Sequence, residues 1–124
     1  MIELVHILRT VVLTACGSSL RRCSIKFDEL ERLVFDILWR EERIAIYETA
    51  WELEEEVRKL ADLGAIKYER GEVIITDPNE FLRKITPFEI VTKNMIAGNA
   101  YLKHVMQQIE RRTREYVEKD LQPA

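Results

Sequence analysis

The sequence predicts a mainly helical fold with a small β-hairpin, an α+β chain whose strands are few and short. Three observations carry this. Between Glu48 and Gly64, apolar or small residues recur at Ala50, Leu53, Val57, Leu60 and Gly64, spaced 3, 4, 3 and 4, which puts one stripe of a helix against a core. Two β-prone runs follow at once, AIKYE and EVIIT, split by Arg70-Gly71, a turn pair in which glycine accepts positive φ. From Pro87 to Asp120 there is no breaker apart from Gly98, so a final helix of about 50 Å is expected.

The chain has 124 residues, enough for one domain with an appendage. The expected division is a first unit at 1–77 and a second at 78–124, a short helix followed by the long one. An apolar fraction of 47% supplies a core, and 33% charged residues with a net charge of −3 exclude both a disordered chain and a strongly basic nucleic-acid coat. Charge is unevenly spread: +3 over residues 1–26, −7 over 27–64 and +1 over 65–124. There are three Asn and three Gln beside 19 Lys and Arg and 22 Asp and Glu, a thermophile-like bias. No apolar run approaches the length of a membrane span, so no membrane partner and a cytoplasmic location are expected.

Taken in order, residues 1–15 are apolar on almost every side and read as a buried helix. Leu13-Thr14-Ala15-Cys16 also resembles a lipoprotein cleavage box, but Glu3 near the start and Arg9 inside the apolar run argue against it. Cys16 and Cys23 are the only cysteines. They fit two small buried residues, a disulfide of the kind hyperthermophiles keep in the cytosol, or a redox-sensitive thiol at Cys23 beside Arg21 and Arg22. CSIKF at 23–27 is a candidate third strand. Asp28 and Glu31 then form a capping box for a helix burying Phe27, Leu30, Val34, Ile37 and Leu38. Residues 44–47 either extend the next helix or lead into it as extended chain. That helix starts with Thr49 and Glu52 as a capping box and stops at Gly64. After the hairpin, Asp77-Pro78-Asn79-Glu80 starts a short helix, and Thr86-Pro87-Phe88-Glu89 repeats the device.

The last helix shows a heptad seam of Val91, Met95, Gly98, Leu102, Val105 and Ile109, continued loosely by Tyr116. Gly98 is expected to let another backbone approach closely, and the seam to pair with its counterpart in a homodimer. The dimer interface is therefore expected at Met95, Gly98, Leu102, Val105, Ile109 and Tyr116. The other reading folds this helix back on its own domain.

No catalytic constellation is present. His6 and His104 are far apart, no Cys/His group has metal-ligand spacing, and no glycine-rich loop precedes a helix. No enzyme activity, cofactor or metal is expected.

The run of helix, Leu-Gly, apolar strand, tight turn and apolar strand over 48–76 resembles the last helix and wing of a winged helix-turn-helix domain. The resemblance covers residues 27–76 well and 1–26 loosely, with helix 1 at 2–15, a strand at 24–27, helix 2 at 28–41, helix 3 at 48–63 and the wing at 65–76. It implies a dimeric DNA-binding regulator whose third helix enters the major groove while the wing touches backbone.

One feature departs from that pattern. Residues 48–63 hold Glu48, Glu52, Glu54, Glu55, Glu56 and Asp62 against Arg58 and Lys59, and carboxylates repel phosphates. Nucleic-acid contacts are therefore expected from the loop (Arg21, Arg22, Lys26), from the wing (Lys67, Arg70, and Tyr68 by stacking) and from Arg58 and Lys59. Trp51 lies off the core stripe. It is either an exposed protein hot spot or packed against helix 2 or Trp39. Two functions follow: a homodimeric transcriptional regulator binding double-stranded DNA, or a winged-helix interaction module docking a basic protein through Trp51, Glu52, Glu55 and Glu56.

Overall fold

The computed structural model describes residues 1–16 and 23–120. It is mainly helical with one small three-stranded antiparallel sheet. The first helix, α1 (Ile2–Val11), buries Leu4, Val5, Ile7, Leu8 and Val11, as its apolar sequence requires. It runs on as a π-helical turn, Val12–Cys16. Cys16 and Cys23 are both buried and joined by a disulfide, their Cα atoms 5.8 Å apart. The bridge ties the end of this helix to the first residue of strand β1 (Cys23–Lys26).

Strand β1 passes directly into α2 (Phe27–Glu31), because the Phe27 N–H is taken by the Gly71 carbonyl at 2.7 Å. The helix thus starts one residue earlier than expected, with Lys26 as its cap and no side-chain cap bond. The expected Asp28–Glu31 capping box does not form, since Asp28 already lies inside the first turn. A π-helical stretch, Arg32–Trp39, continues α2. It brings Leu33 into the core with Leu30, Val34 and Leu38 and leaves Ile37 half-buried. Arg43, in the left-handed region at φ 58°, ends the turn that follows. The Ile44 N–H reaches back to the Leu38 carbonyl at 2.8 Å, and residues 44–49 then lead to the next helix without being helical themselves.

Helix α3 (Ala50–Asp62) is capped by Thr49, whose hydroxyl accepts from the Glu52 N–H at 3.2 Å, while a Glu52 carboxylate oxygen accepts from the Glu48 N–H at 3.1 Å. Leu53, Val57 and Leu60 are buried on the predicted stripe, and Gly64 takes φ 80° just beyond the helix end. Strands β2 (Lys67–Glu69) and β3 (Glu72–Ile75) are joined by Arg70 and Gly71, both at positive φ, the backbone of a type I′ turn. The sheet order is β1-β3-β2. Pairing places Ile25, Val73 and Tyr68 side by side facing the core. By alternation, the opposite face carries two rows, Ser24–Ile74–Lys67 and Lys26–Glu72–Glu69.

Helix α4 (Pro78–Lys84) starts as expected, with Asp77 accepting from the Glu80 N–H at 3.2 Å. The same device does not operate at Thr86. Its hydroxyl donates to the Leu82 carbonyl at 3.2 Å, and α5 (Thr86–Ile96) follows α4 with Ile85 as the hinge. The expected uninterrupted final helix is corrected: α5 ends at Ile96 and α6 (Ala100–Lys119) begins after three intervening residues. The turn between them is made by Gly98 at φ 73° and by Asn99, whose side chain accepts from the Leu102 N–H at 3.0 Å. Gly98 is therefore a turn residue and not a point of close approach; a Cβ there would meet nothing within 4 Å.

Helix α6 folds back along α1. Ile109, Tyr116 and Val117 share one core cluster with Leu4, Leu8 and Leu38, so residues 78–120 are built on the same core as 1–77. Arg112 fastens this packing by pairing with Glu41 at 2.8 Å and Glu42 at 2.9 Å, and the Tyr116 hydroxyl donates to Glu29. Among the described residues, no helix is long and apolar enough to cross a membrane.

Candidate nucleic-acid interface

A two-residue turn closes the hairpin, and the strand register decides which side chains share a face. Lys67 and Lys26 both stand on the outer face of the sheet, in adjacent rows, and Arg70 sits at the tip. All three are exposed, and among the described residues none has a carboxylate within salt-bridge distance. Lys59 on α3 is likewise exposed and unpaired. Most other basic groups are occupied: Arg9 with Glu89, Arg32 with Glu29, Arg40 with Asp36, Arg83 with Glu80, and Arg111, Arg112 and Arg114 with carboxylates. The outer face also carries Glu69 and Glu72, so its positive field is modest. Arg21 and Arg22 lie outside the described residues.

Two of the expected nucleic-acid contacts have structural duties. The Tyr68 hydroxyl donates to Glu54 at 2.7 Å, and its ring lies 5.9 Å from Phe27. The Arg58 guanidinium covers the same ring at 5.2 Å and pairs with Glu54 at 3.5 Å. Burial, then the Glu54 bond, raises the Tyr68 phenol to about 12. This Tyr68–Glu54–Arg58 group clamps the hairpin to α3 and fixes the angle between them. The Arg58 side chain stays 61% exposed beside the ring.

The same packing reduces the acidity of α3. Glu54 is neutralised by Arg58. Glu52 accepts from the chain's own backbone, and Glu56 lies 3.9 Å from the Met1 amine, an electrostatic contact too long for a hydrogen bond. The carboxylates left exposed are Glu48, Glu55 and Asp62, beside Lys59. Trp51 stands 66% exposed at the start of the helix. It packs neither on helix α2 nor on Trp39, whose ring is instead covered by Arg43 at 5.6 Å. Of the expected protein-interaction group, Trp51 and Glu55 therefore form the outward part, while Glu52 and Glu56 are half-buried.

The expected dimer residues divide similarly. Ile109 and Tyr116 are buried in this chain's own core, and Gly98 belongs to the turn. Leu102 and Val105 are half-buried, and Met95 is exposed. Sequence reasoning placed Val91 on the seam with Met95 but missed exposed Ile90 beside it and the end of α5 before Gly98. The signal was Gly98-Asn99, a glycine stop followed by an N-cap residue. Among the described residues, no group of three or more His, Cys, Asp or Glu is placed to hold a metal. Comparison with protein-family models, with curated proteins and with solved structures finds no match for this chain.

Proposed function

We propose that the chain is a winged helix-turn-helix protein that binds double-stranded DNA, acting as a homodimeric transcriptional regulator. The observation that carries this reading is the element order with its sheet: helix, strand, two helices, hairpin, in the order β1-β3-β2, with unpaired cations Lys26, Lys67 and Arg70 on the outer sheet face and turn. In this reading the sheet face and hairpin tip lie along phosphates, and Lys59 is the cation on α3 that has no carboxylate partner among the described residues. Dimerisation uses the surface still open at the α5–α6 elbow, Met95, Leu102 and Val105.

Fluorescence anisotropy with mixed-sequence duplex DNA across a salt series tests this. Binding that weakens steeply with salt is expected, and Lys67→Glu with Arg70→Glu should abolish it. Absence of binding at low salt sinks the reading. A second reading, docking of a basic protein through Trp51 and Glu55, is favoured by the exposure of Trp51 at a position where a ring has no internal partner. Trp51→Ala would then abolish capture of the partner while leaving any DNA affinity unchanged.

A further inference from the structure

Among the described helices, α5 alone buries none of its residues fully. Its outer side shows Val91 and Met95. Across the Gly98 turn, Tyr101 stands 74% exposed, the most exposed large apolar side chain among the described residues. Beside that ring a groove of about 350 Å³ opens between α1, residues 43–46, α5 and α6. Ile44, Ile46, Leu102 and Val105 line it, with Met95 on one wall. An apolar cavity of about 150 Å³ already takes a benzene ring, so this groove has room for a phenol. Glu3 of α1 and Arg43 also line it, one carboxylate and one guanidinium. Their opposite charges give the groove no net field to gather a charged ligand. A tyrosine hydroxyl suits such an edge, since it can donate to the first group or accept from the second.

Ring and groove adjoin on one surface. Tyr101 is the second residue of α6 and stands at the rim of its own groove, which it leaves open. An isologous contact uses the same patch on both copies, so that patch must hold both a projection and the recess that receives it. The α5–α6 elbow holds both. Its size fits a second copy as well. The exposed ring offers about 150 Å². With Val91, Met95 and the groove walls, each copy offers roughly 600 Å², the small end of specific interfaces. That area suits a reversible dimer with a dissociation constant of about 1–100 μM.

We propose that two copies of the chain exchange these rings: Tyr101 of each enters the groove of the other across a two-fold axis beside the elbow. Each groove is then completed by a side chain from the second copy. This rests on the homodimer part of the proposed function and names the contact that builds it. It does not depend on DNA, since no residue of the contact belongs to the hairpin or to α3.

The test is sedimentation of the full chain from about 1 to 500 μM, without DNA. The parent should pass from monomer to dimer in that range. Tyr101→Ser removes two rings per dimer and should raise the dissociation constant at least about hundredfold. Tyr101→Phe keeps the ring and should stay within about tenfold of the parent. Met95→Glu, a substitution at an exposed position, places a carboxylate in the groove and should also give monomers. Mixing the Tyr101→Ser and Met95→Glu chains should restore association to about tenfold below the parent, because a mixed dimer keeps one ring and one open groove to receive it. Two chains that had merely lost their fold would not complement each other. A dimer unchanged by Tyr101→Ser, or a mixture that stays monomeric, would overturn this contact while leaving homodimerisation elsewhere on the chain standing. A parent monomeric throughout, whose thermal stability falls on Tyr101→Ser, would place the ring in its own groove and overturn both. A ring-dependent dimer that binds no duplex DNA supports the contact and sinks only the DNA reading.

Discussion

Arg70 shows how one residue can carry a conflict between folding and binding. Its φ of 51° is a conformation that costs an ordinary L-residue about 1–2 kcal/mol and that Asn or Gly adopts more readily. Among the described residues its guanidinium has no carboxylate partner. Arg70→Asn should therefore stabilise the chain, by up to about 1 kcal/mol in urea denaturation. If the proposed function holds, the same change should weaken DNA binding and flatten the salt dependence by about one phosphate contact. A variant that loses stability would show that the turn depends on the arginine side chain. The turn itself was legible from Arg70-Gly71, because its chemistry is local. The roles of Tyr68 and Arg58 were not, because Glu54 sits 14 residues from Tyr68 and only folding brings the three together.

Among the elements, α6 shows the limit of periodicity. Its spacing correctly marks an apolar stripe, yet a stripe does not name what covers it. Two helices of one chain and two copies of one helix bury apolar area by the same physics. Packing on α1 was available within the chain once Gly98 and Asn99 reversed the direction, and Ile109 is fully buried as a result. Ile109→Ala should accordingly cost about 2–5 kcal/mol of folding stability, measured by thermal or urea unfolding. Val105→Ala, at a half-buried position, should cost about 1 kcal/mol or less. If both changes instead altered only the dimer's dissociation, with monomer stability intact, the intramolecular packing of α6 would be wrong. The capping sites show the same division. Thr49 and Asp77 cap as their sequences suggest. Asp28 does not, because β3 reaches across through Gly71 and captures the Phe27 N–H first.

For the whole molecule, titration sets the range in which the fold holds. Burial is the leading cause that raises all three phenols of Tyr47, Tyr68 and Tyr116 above 10, Tyr68 to about 12. A phenol raised in the folded state binds its proton more tightly there than in the unfolded chain. Its contribution is complete below pH 10 and is lost as pH rises toward 12 and beyond. His6 has the opposite sign: its folded pKa is depressed from 6.5, again chiefly by burial. Its contribution is present above pH 6.5 and lost as pH falls through the lower value. Stability measured by urea unfolding should therefore plateau between about pH 6.5 and 10 and decline on both sides. Tyr68→Phe should soften the alkaline decline, and a variant with the same alkaline profile as the parent would refute that assignment.

The sequence by itself determined the elements and their faces: a mainly helical chain, a hairpin turning at Arg70-Gly71, Thr49 and Asp77 as helix starts, and the buried stripe of α3. These follow from dihedral preferences and hydrophobic period, which act within a few residues. Only the tertiary structure decided which partners those faces meet. It joined Cys16 to Cys23, spent Glu54 and Glu56 on contacts with Tyr68 and the Met1 amine, left Trp51 in the open, and turned α6 back onto α1. It also drew Glu89 away from Lys93 toward Arg9. In each case the deciding contact lies outside the reach of local propensity, and the competition for it is settled by burial and charge pairing across the whole chain.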